Sequence, residues 1–87
     1  MRYLKWTEES LKGLKPQTGI TLLYIEAEDN GMIRREVGVN DAGVVIHKCP
    51  SDKFKDGTYG VIDNVLEDIS EYPDSTTKQE FETQWKK

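Results

Sequence analysis

The sequence predicts an α+β fold: an antiparallel sheet of four or five strands with a C-terminal helix packed on one face. Three observations carry that prediction. The segment "LLYIEAEDNGMIRREVGV" (22–39) places two apolar runs around the turn-forming Asp29-Asn30-Gly31. The start "MRYLKWT" alternates, with Leu4 and Trp6 on one side and Tyr3 and Lys5 on the other. Near the end, Thr77 and Glu80 stand at capping-box spacing ahead of Phe81 and Trp85, an i, i+4 stripe suited to lie on a sheet.

The hairpin at 22–39 allows two registers. A two-residue Asn30-Gly31 turn sets Leu23 and Ile25 opposite Gly38 and Glu36, so that an apolar face meets a polar one. A three-residue loop, Asp29-Asn30-Gly31 with Gly31 left-handed, instead sets Ala27 opposite Ile33 and Leu23 opposite Val37. The second register keeps the apolar residues on one face of a half-buried sheet, which is what normally fixes register, and it is the one expected. It pairs Glu26 with Arg34 and Tyr24 with Glu36 on a solvated face, and it strands Arg35 opposite Ile25, where it needs an edge or an acid.

The remaining elements follow in order. "EESLKGLKPQTG" (8–19) loses the alternation at Gly13, Pro16 and Gly19 and reads as loop. "NDAG" (40–43) is a second turn into the strand "VVIHKC", which Pro50 closes. "TYGVID" (58–63) is the optional fifth strand, and Val65, Leu66 and Ile69 show weak helical spacing. One domain, residues 1–87, accounts for a chain of this length.

Composition narrows the function classes. No apolar run approaches the ~18 residues that a membrane span needs, and the opening lacks a secretory signal pattern. Cys49 is the single cysteine, so no internal disulfide forms, and a cytoplasmic setting is expected. Acids and bases balance at nine each over residues 1–60, whereas residues 61–87 carry seven acids against three lysines. Between Asp56 and Thr77 stand six acids and no base, the wrong sign for gripping phosphates, so direct nucleic-acid binding is disfavoured. Such a stretch is either plain solvated surface or a surface built for a basic partner.

Catalytic candidates are few. His47 and Cys49 share one side of a strand, but zinc needs three or four ligands and there is no second His or Cys. A thiol nucleophile would also need an orienting group and an oxyanion pocket, so both residues read as ordinary strand residues. "EDNG" lacks the alternating oxygen ligands of a calcium loop and reads as a turn. Gly57 and Gly60 precede no helix that could make a phosphate loop. No cofactor, metal or enzymatic activity is therefore expected.

The start "MRYLKW", the hairpin "LLYIEAEDNGMIRREV" and the end "TTKQEFETQW" resemble a family of small uncharacterised bacterial proteins, a domain of unknown function. Members open Met-Arg-Tyr into an apolar strand ending in acids, then an Arg-rich strand, and close on a Glu-Phe-x-x-x-Trp helix. Small acidic proteins of this kind are similar to immunity proteins of toxin systems, including contact-dependent growth inhibition. That resemblance implies a non-catalytic inhibitor that binds a cognate toxin domain, often a basic nuclease. The expected contact residues are Asp56, Tyr59, Asp63, Glu67, Asp68, Glu71, Tyr72 and Asp74, with the hairpin face around Tyr24, Arg34 and Glu36 as the next choice. The competing readings are a non-catalytic interaction module with another role and, last, a small enzyme using His47.

Overall fold

The computed structural model describes residues 1–7, 19–51, 65–66 and 68–87. Its centre is an antiparallel sheet whose four strands lie side by side in chain order: β1 (Arg2–Thr7), β2 (Leu22–Ala27), β3 (Ile33–Val39) and β4 (Val45–Cys49). Among the described residues one eight-residue helix, α1 (Lys78–Trp85), follows a short 3-10 turn at Ile69–Glu71. This is the α+β arrangement the sequence predicts, with four strands among the described residues. The optional strand at 58–63 and the loop at 8–18 lie outside them. Among the described residues no helix is long and apolar enough to cross a membrane.

Two hairpins use the same device. In the first, Glu28 N–H donates to Met32 O at 2.8 Å and Gly31 N–H to Glu28 O at 2.8 Å. In the second, Asn40 N–H donates to Val44 O and Gly43 N–H to Asn40 O, both at 3.0 Å. Each loop therefore spans three residues and closes on a left-handed glycine, Gly31 at φ 95° and Gly43 at φ 78°. Gly31 is required twice over, because a Cβ there would stand 2.1 Å from Leu66 O.

The expected loop is thus present, but the expected register holds for one pair only. Ala27 faces Ile33, after which Glu26 faces Arg35, Ile25 faces Glu36, Tyr24 faces Val37 and Leu23 faces Gly38. A β-bulge at Arg34 converts the three-residue loop into the register that a two-residue turn would have given. The expected Glu26–Arg34 and Tyr24–Glu36 pairs are replaced accordingly. A second bulge between β3 and β4 takes up Ile46, since Gly38 faces His47 and Val39 faces Val45.

Both faces of the sheet are covered, so neither is the solvated face expected from the sequence. On one face Leu4, Leu23, Ile25 and Ala27 pack with Ile20 and Ile69, joined by Trp6, Ile33, Ile46 and Leu66. On the other, Tyr3, Tyr24, Val37 and Val39 pack against Phe81 and Trp85 of α1. β2 is accordingly buried at five of its six positions, the near-continuous burial of a strand covered on both sides.

The helix is too short to persist alone in water, so docking must hold it. Phe81 is fully buried, which contributes about 1.5–3 kcal/mol. Thr77 Oγ1 accepts the Glu80 N–H at 3.1 Å, the first half of the predicted capping box. The Glu80 carboxylate does not return to Thr77. It accepts from Thr76 Oγ1 (2.7 Å), Tyr24 Oη (3.2 Å) and Lys5 Nζ (3.3 Å), and so ties the helix start to β1 and β2.

Candidate protein-binding surface

The surface is built on residues 65–66 and 68–75, which lie between the first hairpin loop and the edge strand β1. Val65 forms an isolated bridge with Met32, and Leu66 N–H donates to Gly31 O at 2.8 Å. Ile69 then enters the core at 4% exposure. The helical spacing at Val65, Leu66 and Ile69 thus resolves into a bridge and one 3-10 turn rather than an α-helix. Glu71 N–H donates to Asp68 O at 2.9 Å and Tyr72 N–H to Ile69 O at 3.1 Å. Tyr72 is extended (φ −107°, ψ 117°), as a residue preceding proline should be, and Pro73 ends the turn.

Arg2 fixes this segment from beneath. Its Nη1 donates to Ile69 O at 3.3 Å, while Nη2 reaches Tyr72 O and Nε reaches the Asp74 carboxylate. Ser75 completes the attachment at the strand edge. Its Oγ accepts Lys5 N–H at 2.7 Å and donates to Lys5 O at 3.3 Å, and its own N–H donates to Tyr3 O at 3.2 Å. These bonds occupy the outward backbone groups of β1 that would otherwise be open to another strand.

Of the residues predicted to contact a partner, Asp56, Tyr59, Asp63 and Glu67 lie outside the described residues. Asp68, Glu71 and Tyr72 stand together, exposed, on the 3-10 turn and its exit. Asp74 is exposed but its carboxylate is engaged by Arg2. Among the described residues neither Asp68 nor Glu71 forms an ion pair. The charge of Asp68, foremost, and its hydrogen bond raise the Tyr72 phenol above its ordinary value, with a smaller push from Glu71. Tyr72 packs against Trp6 with ring centroids 6.0 Å apart at 56°. A cleft of about 420 Å³ opens beside this pair, lined among the described residues by Leu4, Lys5, Trp6, Tyr72, Pro73 and Ser75. Sequence reasoning named Tyr72 and its acids as candidates but not Arg2 and Trp6, whose partners lie some seventy positions away in the chain and leave no local signal.

The second-choice surface on the hairpin does not exist as one face. Tyr24 and Glu36 lie on opposite faces of the sheet and are 4% and 1% exposed. Of that trio only Arg34 is exposed, paired with Glu28 at 3.4 Å.

His47 and Cys49 belong to the buried first face. His47 Nε2 lies 3.2 Å from Glu36 Oε1, and Cys49 faces Glu36 across the strands. Burial, and then the Glu36 charge, push the Cys49 thiol up, the reverse of what an activated nucleophile needs. No group of three or more His, Cys, Asp or Glu is placed to hold a metal ion among the described residues. Comparison with protein-family models, with curated proteins and with solved structures gave no match.

Proposed function

We propose that the protein is an immunity or inhibitor protein, a cytoplasmic and non-catalytic binder that neutralises a cognate bacterial toxin domain, such as a basic nuclease. The observation that carries this reading is the juxtaposition of Asp68, Glu71 and Tyr72 on one short exposed turn held by Arg2. Carboxylates there take the place of substrate phosphates against a basic cleft and steer the encounter. The exposed aromatic ring supplies the short-range contact that charge alone does not. Holding the turn in advance reduces the ordering cost of association. The resemblance to immunity proteins supplies the toxin as the partner, and the stretch from Asp56 to Asp74, with six acids and no base, supplies the sign of its surface.

The test is protection. Cells expressing the basic toxin domain should survive with the native protein and lose protection with Asp68→Lys plus Glu71→Lys. A control reversing two acids elsewhere, Asp29→Lys and Asp41→Lys, should keep it. Equal loss from both pairs would reduce the effect to net charge, and no loss from the first pair would remove this turn from the interface.

A further inference from the structure

Of the chain's asparagines, Asn40 precedes Asp41, Asn64 precedes Val65, and only Asn30 precedes a glycine. An asparagine amide is attacked by the backbone nitrogen of the residue that follows it. A side chain on that residue hinders the attack, and glycine carries none. The Asn30-Gly31 bond is therefore the one most open to self-modification, yet the fold engages the groups that would react. Asn30 is exposed, but Gly31 is buried and left-handed at φ 95°. The attacking group, Gly31 N–H, donates to Glu28 O at 2.8 Å. The group attacked, the Asn30 side-chain amide, has its Oδ1 fixed by Met32 N–H at 3.0 Å. Gly31 is also held at its carbonyl, which accepts Leu66 N–H at 2.8 Å.

We propose that Asn30 is a deamidation site whose reaction waits on opening of the first hairpin loop. The proposal does not depend on the partner. Gly31 nitrogen gives up its proton and bonds to Asn30 Cγ, and the side-chain nitrogen leaves as ammonia with that proton. Water then opens the cyclic imide at either carbonyl, giving aspartate or isoaspartate. Both steps need the loop released, because the nitrogen that attacks is the one that closes the loop on Glu28 O. The products differ in consequence. Aspartate keeps the path of the main chain and an oxygen for Met32 N–H, and adds a negative charge beside Glu28 and Asp29. Isoaspartate lengthens the main chain by one atom and displaces Gly31, whose place against Leu66 is so close that a Cβ would stand 2.1 Å from Leu66 O. Leu66 N–H then loses its acceptor, and the segment leading to Asp68, Glu71 and Tyr72 loses its tie to the hairpin.

The full chain is aged at neutral pH, folded in buffer and unfolded in guanidinium chloride, and conversion at each asparagine is followed by peptide mapping with mass spectrometry. In the unfolded chain Asn30 should convert ahead of Asn40 and Asn64. In the folded protein it should convert at least about tenfold more slowly, because only the open fraction reacts. Small additions of guanidinium chloride should speed this conversion in step with hydrogen exchange at the Gly31 amide, since both need that N–H free of Glu28 O. In the aged folded protein the Leu66 amide should exchange faster in the isoaspartate fraction than in Asn30→Asp. Equal rates in the folded and unfolded chains, or earlier conversion at Asn40 or Asn64, would overturn the proposal. So would faster exchange at Gly31 with conversion unmoved. Equal Leu66 exchange in the two forms would overturn the consequence assigned to isoaspartate.

Discussion

Arg35 is bonded to Glu26 through both Nε, at 2.7 Å, and Nη2, at 2.8 Å, and the same Nη2 continues to Glu82 on α1. Tyr3 Oη donates to the second Glu26 oxygen at 2.8 Å, so the carboxylate is met from β1 and β3 together. Glu26 is only 6% exposed, and this set of bonds is what makes its charge tolerable there. The network also explains how α1 finds its place. Glu82 is drawn to Arg35 while Phe81 and Trp85 pack under the guanidinium. Adjacent arginines thus have unequal weight: Arg35 joins sheet to helix, and Arg34 makes one long, exposed contact with Glu28.

Replacement of Arg35 by Ala should therefore cost about 3 kcal/mol, because it leaves Glu26 buried without its counter-charge. Arg34→Ala should cost at most about 1 kcal/mol, as exposed pairs do. Urea unfolding of the two variants side by side checks the ranking. Equal costs would mean that the bulge does not separate their roles.

The same network sets two pH limits. The Arg35 hydrogen bonds, outweighing burial, hold the Glu26 carboxyl below its ordinary value of 4.5. A depressed carboxyl contributes stability that is complete above its unfolded value and lost as pH falls through the folded one, so unfolding should become easier below about pH 4.5. Burial first, and then the bond to Glu26, push the Tyr3 phenol up from 10.0 to about 12. A raised phenol has the opposite sign: its contribution is complete below pH 10.0 and lost as pH rises toward 12. Tyr3→Phe should flatten part of that alkaline limb and cost about 1.5–3 kcal/mol at neutral pH through the lost bond to a charged group. Tyr24, raised by burial and then by Glu80, leaves a residual slope. Stability measured from pH 3 to 12 in both proteins decides the matter.

Arg35 also marks how far the sequence could be read. The strands, both glycine-closed loops and the helix cap were legible because turn chemistry and periodicity are local. The bulge at Arg34 was not, since no glycine or proline announces it. Its trace was a difficulty: in the bulge-free register Arg35 sits among apolar residues without an acid. One extra residue moves Arg35 to the helix-covered face and sends Glu36 to the other, beside His47. The rejection of the true register rested on Glu36 meeting an apolar face, and the histidine that satisfies it comes from the next strand. At the candidate site Tyr72, Asp68 and Glu71 were nameable as contact candidates from charge and composition. Their supports, Arg2, Trp6 and Ser75, were not, because only the fold brings the two ends of the chain together.

The buried pair of Glu36 and His47 yields a prediction of its own. Glu36→Ala should cost about 3 kcal/mol, because it leaves a polar ring buried at 4% exposure without its partner. Glu36→Gln, which keeps an acceptor within reach, should cost less. With burial, then Glu36, pushing the Cys49 thiol up, iodoacetamide at neutral pH should label the folded protein more slowly than the unfolded chain. Glu36→Gln should quicken labelling of the folded form. Fast labelling of the native protein would restore a reactive role for Cys49.

The most discriminating substitution for function is at Arg2. Arg2→Ala removes the donors that hold Ile69 O, Tyr72 O and Asp74, and it makes the surface more negative by releasing Asp74. If net charge alone draws the basic partner, the variant should bind more tightly, chiefly through a faster on-rate at low salt. If the preset turn matters, it should bind more weakly, because Asp68, Glu71 and Tyr72 must then be ordered on contact. The expected outcome is the second: about tenfold weaker binding, in line with 1.4 kcal/mol of lost preorganisation. Faster hydrogen exchange confined to residues 69–75 should accompany it, since the sheet and α1 make no use of Arg2 side-chain bonds. Tighter binding, with or without faster exchange, would make the acidic stretch a charge attractor rather than a shaped site.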